Sequence, residues 1–305
     1  MPPSSYLVSL PELLRIRATG NDRAKFLHNF CTNDIISMAA GTWREAFFTN
    51  VKARILAHGF VLAAEDHHEI WMLPGDEELL LSHLNRYIIT EDVAFDSITS
   101  TSAAMAVVGV NPDSLSDGMP SESGRWADVA VDNAHVRCLL CQWAGQPVLF
   151  VSGSVKEIRS LCLKITETVQ TGETADLERL RIQERFPLIG RDLSDMHLAP
   201  EAARNQSAIC YTKGCYLGQE PIARIDAIGQ VNRVLASIEI RTESEDSESV
   251  YELSSFDDTV SPAVGLAVIK ADCISSGSAI VRTTDGHVFS AIISQPATVT
   301  GDGIR

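Results

Sequence analysis

The sequence predicts an α+β protein that ends in a small β-barrel domain. Three observations carry that expectation. Strand-like alternation and helical spacing interleave along the first half, a clear amphipathic helix begins near residue 155, and only short strand-like pieces follow Gly229. With 305 residues and 45% hydrophobic content, the chain is long enough for roughly two domains with real cores. Twenty-five Lys and Arg against forty Asp and Glu give a formal charge of −15, which disfavours nucleic acid and anionic membrane as broad partners.

Taken in order, Leu14-Arg15-Ile16-Arg17-Ala18 alternates like a strand. Gly20-Asn21-Asp22 then supplies the turn and N-cap of a helix through Phe26, Leu27 and Phe30. Two apolar bursts in residues 44–64, split by Asn50-Val51-Lys52, predict a hairpin, and residues 69–73 add a strand. Residues 77–84 have helical spacing, while 103–110, 127–131, 136–143 and 148–151 read as strands. In residues 154–169 the apolar Val155, Ile158, Leu161, Cys162, Ile165 and Val169 lie three or four apart, which predicts a helix packed on a sheet. Residues 190–216 are loop-rich. Strands at 234–240, 263–269, 279–283 and 288–293 then predict the barrel, with the acidic run at 241–258 expected as a solvated loop between its first two strands. The expected division is 1–150, 151–229 and 230–305.

The start Met1-Pro2-Pro3-Ser4-Ser5-Tyr6 has no basic region followed by an apolar run, and the longest uncharged apolar stretches fall far short of the roughly 18 residues of a membrane span. A cytoplasmic protein without a membrane partner is expected. Seven cysteines, an odd number thinly spread, argue for reduced thiols. Cys138-Leu139-Leu140-Cys141 has metal-ligand spacing, but a strand sends its positions i and i+3 to opposite faces, so no metal site is expected. His67 and His68 are expected exposed at a hairpin edge, and the four tryptophans in the core. Phosphate-loop, zinc-protease and serine-hydrolase motifs do not occur.

Chemistry concentrates in Lys213-Gly214-Cys215-Tyr216-Leu217-Gly218-Gln219-Glu220-Pro221-Ile222-Ala223-Arg224. Proline suits the first turn of a helix and Gly229 its stop, so a helix is predicted over residues 219–228. Cys215 then lies just before a helix N-terminus and two residues from the Lys213 ammonium, both of which favour thiolate. Gly214 and Gly218 permit a close approach to a ligand. Glu220 and Arg224 are i, i+4 partners, able to pair with each other or to present a carboxylate and a guanidinium. An inert packed cysteine beside a surface ion pair remains the plain alternative.

This string resembles the K-G-C-Y-x-G-Q-E signature of the YgfZ family, folate-binding proteins linked to iron–sulfur cluster assembly and repair. Gly20-Asn21-Asp22, Phe26-Leu27 and Thr32-Asn33-Asp34 resemble the N-terminal pattern that YgfZ shares with the glycine cleavage T-protein, an aminomethyltransferase. Leu180-Arg181-Ile182, Phe186 to Asp192 and Pro200-Glu201-Ala202 look like the approach to the signature. The resemblance implies a three-domain T-protein-like ring with a central folate pocket, tetrahydrofolate as ligand, and iron–sulfur proteins or their assembly machinery as partners. It also implies Cys215 as the functional thiol, Lys213 as its electrostatic tuner, and Tyr216, Gln219, Glu220 and Arg224 around the pocket, where a bordering tryptophan could stack on the pterin.

The resemblance stops short of aminomethyl transfer. The T-protein carboxylate that partners the developing cation is expected in an I-L-D-D segment, where this chain has Ile55-Leu56-Ala57-His58. The glutamate of L-R-L-E is replaced by Gln183, and Glu184, one residue on, is expected to point elsewhere. A non-transferase folate-binding accessory factor is therefore the leading expectation. Two alternatives stand beside it: a one-carbon transferase or demethylase with His58 or Glu184 as substitute, and a thiol-redox protein using Cys210 and Cys215.

Overall fold

The computed structural model describes residues 5–132, 134–229, 231–244 and 249–294. Residues 6–171 supply one sheet in the order Gln170–Thr171, Tyr6–Ser9, Ala103–Val108, Gln146–Gly153, Ala134–Trp143, Arg125–Val131, Thr42–Thr49, Ile55–Ala63, His68–Met72, Leu14–Thr19 and Ala94–Ser97. As strands, the two halves of this sheet pair only at Thr42 and Arg125. They turn toward each other around a shared core, to which one half gives Phe60, Leu62 and Trp71 and the other Leu139, Trp143 and Phe150. The helices Arg23–Phe30 and Glu77–Asn85 cover the outer face of the first half, and Val155–Ile165 covers that of the second. With helices outside and a second layer inside, Ile55–Ala63 is buried at every position, as a sequence apolar at all but His58 suggests. Gly59 is required there because a Cβ would lie 2.1 Å from the carbonyl oxygen of Trp71.

Strand alternation separates the two cysteines of 138–141 as expected. Cys138 and Leu140 enter the core under the helix Val155–Ile165, whereas Leu139 and Cys141 enter the core between the sheet halves. The fold is mixed α and β, and its C-terminal part is a closed five-stranded barrel ordered Arg233–Glu243, Val264–Lys270, Val250–Asp257, Ser278–Arg282 and Val288–Ser294. A fourth apolar cluster ties the barrel residues Leu235 and Leu266 to Ile222 of the signature helix and to Phe47 and Ile55 of the central hairpin.

Three local expectations are corrected. Much of the acidic run is a barrel strand: in Val250–Asp257 the residues Leu253, Ser255 and Asp257 point inward, while Glu252 points outward to Arg282 at 3.0 Å. Buried Asp257 is compensated by Arg179 at 2.6 Å, which is how a carboxylate sits at a core-facing position. Residues 245–248 of that run lie outside the described residues. Asp22 precedes the helix Arg23–Phe30 without a side-chain cap bond, and its carboxylate accepts instead from the Asp92 N–H at 2.8 Å. His67 and His68 are not at an exposed edge, because His68–Met72 has strand neighbours on both sides, which buries His68.

Burial, followed by the charges of Arg23 and His67, lowers the His68 pKa from 6.5 to about 4. Below pH 6.5 the unfolded chain takes up a proton that the folded chain refuses. Stability should therefore fall as the pH drops from about 6.5 toward 4, by on the order of 2–3 kcal/mol from this residue. Denaturant titrations at pH 7 and pH 5 measure the loss, and His68→Gln should reduce it; an unchanged difference would remove His68 as the cause.

Candidate functional site

The signature forms the predicted helix, Gln219–Ile228, with Pro221 in its first turn. Gly218 at its N-cap and Gly229 at its C-cap both take left-handed backbone, at φ 85° and 75°. At Gly218 a Cβ would meet the Asn50 carbonyl oxygen at 2.5 Å, so glycine is what allows the loop to lie against the hairpin turn. The docking is completed by the Leu217 N–H donating to the Asn29 carbonyl at 2.8 Å and Thr49 Oγ1 donating to the Leu217 carbonyl at 3.0 Å.

Lys213 reaches from this loop into the N-terminal part of the chain. Its Nζ donates to the carbonyls of His28, Cys31 and Asn33 at 2.5, 2.8 and 2.8 Å and lies 4.6 Å from the centre of the Tyr216 ring. Burial lowers its pKa, against the opposing influence of Cys31, Asp34 and Cys210. Cys215 is exposed and makes no side-chain hydrogen bond among the described residues. Gln219 accepts from the Tyr216 N–H at 3.2 Å, and Tyr216 is half-buried. Glu220 and Arg224 are both exposed, and no ion pair joins them, so the i, i+4 pairing does not form.

A cleft of about 300 Å³ opens elsewhere, at one end of the core between the sheet halves. Trp43, Arg44, Glu45, Trp143, Glu184 and Arg204 line it, and none of Lys213, Cys215, Tyr216, Gln219, Glu220 or Arg224 does. Arg204 organises it. Its Nε and Nη2 fork onto the two oxygens of Glu45 at 2.8 and 2.6 Å, and its Nη1 holds the Glu184 carboxylate at 2.7 Å and the Glu184 carbonyl at 2.8 Å. The second Glu184 oxygen accepts from the Ala144 N–H at 2.9 Å. Burial alone would raise the Glu45 pKa, but the charge and hydrogen bonds of Arg204, with His58, bring it down from 4.5 to about 2.

The sequence reading placed these residues differently. Glu184 faces the cleft and Gln183 is exposed, since the helix Thr174–Glu184 ends there and Arg185 turns the chain at φ 56°. His58 has no exposed side-chain surface. It lies between the rings of Phe47 and Phe186, each 4.4 Å away, with Nε2 2.8 Å from Glu45, and so belongs to the wall behind the cleft rather than to its opening. The signals missed were Glu45 and Arg204: a carboxylate beside the apolar run Ala46-Phe47-Phe48 demands a buried partner, but nothing local identifies one 159 positions away.

Asn33 links the two regions. Its carbonyl accepts from Lys213, while its side-chain amide donates to the carbonyls of Glu45 at 2.8 Å and of Ser207, which also lines the cleft, at 2.9 Å. Thr32 Oγ1 repeats the connection, accepting from the Phe47 N–H and donating to the Ala208 carbonyl.

No family model matches the chain. A putative chloroplastic transferase of Arabidopsis thaliana is 27% identical, over 95% of this chain and 70% of its own. The tRNA-modifying protein YgfZ of Colwellia psychrerythraea is 23% identical, over 76% of this chain and 71% of its own. Among solved structures, the glycine cleavage system aminomethyltransferase T of Bartonella henselae superposes with a TM-score of 0.78 at 13% identity, covering 96% of this chain and 86% of that one. The chain has the fold of that aminomethyltransferase. No helix among the described residues is long and apolar enough to cross a membrane, and the compartment varies among relatives, one of them being named chloroplastic.

Replacing Arg204 leaves Glu45 buried without its guanidinium, so Arg204→Met should cost about 3–5 kcal/mol of stability at pH 7, and Glu45→Gln combined with Arg204→Met less. The stabilisation from Glu45 is present above pH 4.5 and is lost as the pH falls from there toward about 2. Urea titrations of both variants test this; equal losses would show that the buried charge is not the source.

Proposed function

We propose that this is a YgfZ-family protein related to the glycine cleavage aminomethyltransferase, as these likenesses support, and that it binds tetrahydrofolate in the cleft of Trp43, Glu45, Trp143 and Arg204 without transferring an aminomethyl group. The cleft volume of about 300 Å³ is at the small end of the range of ligand pockets. Two indole rings border it. Trp43 is held by its Nε1 donating to the Leu140 carbonyl at 3.0 Å and by edge contact with Phe60 at 4.8 Å, which suits a rigid wall for a flat heterocycle.

One observation carries the exclusion of transfer: both cleft carboxylates are held by Arg204, so neither is left to partner a cation developing on the ligand. The segment Ile55-Leu56-Ala57-His58 adds none, being buried and without Asp or Glu. The transferase alternative would require Glu184 to leave both Arg204 and the Ala144 N–H.

The role in assembly or repair of iron–sulfur proteins rests on the signature and on the exposure of Cys215. Exposed Glu220 and Arg224, on the helix that follows, offer a client protein a carboxylate and a guanidinium beside that thiol. Lys213 fixes the loop that carries it. The proposed partners are thus folate and a protein client, in the cytoplasm; a formal charge of −15 disfavours a polyanionic RNA surface as the main contact.

Folate binding and the thiol are separable. Trp43→Ala should weaken tetrahydrofolate binding, measured by calorimetry, by about tenfold or more, whereas Cys215→Ala should leave it unchanged. Cys215→Ser should fold normally yet fail to complement a strain deficient in a cluster-dependent enzyme; full complementation would remove the thiol from the function. Sustained methylene-tetrahydrofolate formation from an aminomethyl donor would establish the transferase reading instead.

A further inference from the structure

His28 lies under the signature loop, on the helix Arg23–Phe30, and the folate reading does not use it. Its carbonyl accepts from Lys213 Nζ at 2.5 Å, and the Asn29 carbonyl beside it accepts from the Leu217 N–H at 2.8 Å. Residues 213 and 217 are thus pinned to positions 28 and 29, and Cys215 is carried between the two pins. Over the ring of His28 stands Gly214. Apart from its own chain neighbours, a Cβ there would have a single atom within 4 Å, His28 Nε2 at 3.7 Å. Gly214 therefore leaves open space directly over a ring nitrogen, one residue from the exposed thiol.

The two nitrogens of that ring have different surroundings. Nδ1 is 3.1 Å from Asp34 Oδ1 and 3.3 Å from the Ile35 nitrogen. The carboxylate contact is the shorter and carries charge, so Nδ1 holds the proton toward Asp34 and Nε2 keeps its lone pair. Asp34 is in turn fixed by Arg44 at 3.4 Å and by the Ser37 N–H at 3.3 Å. Nε2 has no hydrogen-bond partner among the described residues, and unlike the Nε2 of His83 it is not sealed from solvent. The residue as a whole is only 7% exposed, so this is a buried ring with one nitrogen left open toward the loop. Burial, then the Lys213 ammonium and more weakly Arg44, lower the His28 pKa from 6.5 against the opposing influence of Asp34. The ring is therefore neutral at pH 7 and able to take up a proton. Lys213 cannot serve in its place, since its ammonium is spent on three carbonyls.

We propose that His28 is the proton acceptor for Cys215, with Asp34 as the positioning residue that fixes the ring. The proposal rests on the reading of Cys215 as the functional thiol and supplies the base that activates such a nucleophile. In the step, the Sγ–H bond breaks, the proton passes to Nε2 through the space over Gly214, and the electron pair stays on sulfur. A thiolate and an imidazolium result, the latter stabilised by the Asp34 carboxylate.

The test is the rate at which iodoacetamide alkylates Cys215 in the full chain from pH 5 to pH 9, read at that residue by peptide mass spectrometry. The thiolate displaces iodide, and the proton leaves through His28 to the buffer. The wild-type rate should level off above about pH 6.5, where the ring is neutral. His28→Gln should lose that plateau, climb across the whole range as a thiol ionised by solvent alone does, and be about tenfold slower at pH 7. Asp34→Asn should keep the plateau but move its onset to lower pH, because the carboxylate that favours the imidazolium is gone. Circular dichroism and the melting temperature establish that the variants fold. Gly214→Ala is the second variant: its methyl group fits 3.7 Å from Nε2 without a clash, covers that nitrogen and should slow alkylation at pH 7. An unchanged profile in folded His28→Gln overturns the proposal, as does an unchanged rate in Gly214→Ala if His28→Gln does not fold. Complementation by Cys215→Ser would remove the thiol reading itself; failed complementation with an unchanged His28→Gln profile removes only the base.

Discussion

The arrangement of the cleft depends on one guanidinium. Arg204 sits between the helical turns Ala199–Ala202 and Asn205–Ala208, and it is fixed at once to a strand through Glu45, to a helix end through Glu184 and to the ring of Phe186, 5.7 Å from its centre. A buried ion pair of this kind adds little net stability compared with apolar packing of the same shape. What it supplies is position. Glu45 cannot be solvated elsewhere, Arg204 cannot be left unpaired, and so the loop, the hairpin and the helix end adopt one relative placement. The same bonds hold both cleft carboxylates in place.

A sheet whose halves pair as strands at a single position has two open ends, and each end has become polar in its own way. At the first, the indoles of Trp43 and Trp143 stand beside a satisfied network. At the second, arginine side chains from both halves converge on Glu69, with the guanidinium of Arg15 5.0 Å from the Trp71 ring and that of Arg137 4.3 Å from Trp126. These cations are held against aromatic faces that also belong to the apolar core. The core between the halves therefore fixes the geometry of both ends, although the residues lining them come from segments far apart in the chain.

Much of the local structure was legible because it follows period and turn chemistry. The helix at 219–228 was marked by Pro221 and Gly229, the hairpin by Asn50-Val51-Lys52, and the divergence of Cys138 from Cys141 by strand alternation. The misreadings share a cause. Asp257 reads as loop because charge usually means solvent, and only Arg179, 78 positions away, makes it a core residue. His68 reads as exposed because the neighbours on both sides of its strand are supplied by remote segments. Glu45 and Arg204 carried no signal beyond a carboxylate at the start of the apolar run Ala46-Phe47-Phe48.

The signature illustrates how a legible motif and its site can part. Its seven defining residues specify a loop with an exposed thiol and the start of the helix after it, yet that loop lies outside the cleft, and Lys213 points its ammonium at the carbonyls of His28, Cys31 and Asn33. The two regions are joined through the backbone that these carbonyls belong to: Asn33 and Thr32 carry the contact onward to Glu45, Ser207, Phe47 and Ala208. Lys213 is thus the strut that sets the thiol loop against the segment from which Asn33 reaches the wall of the cleft.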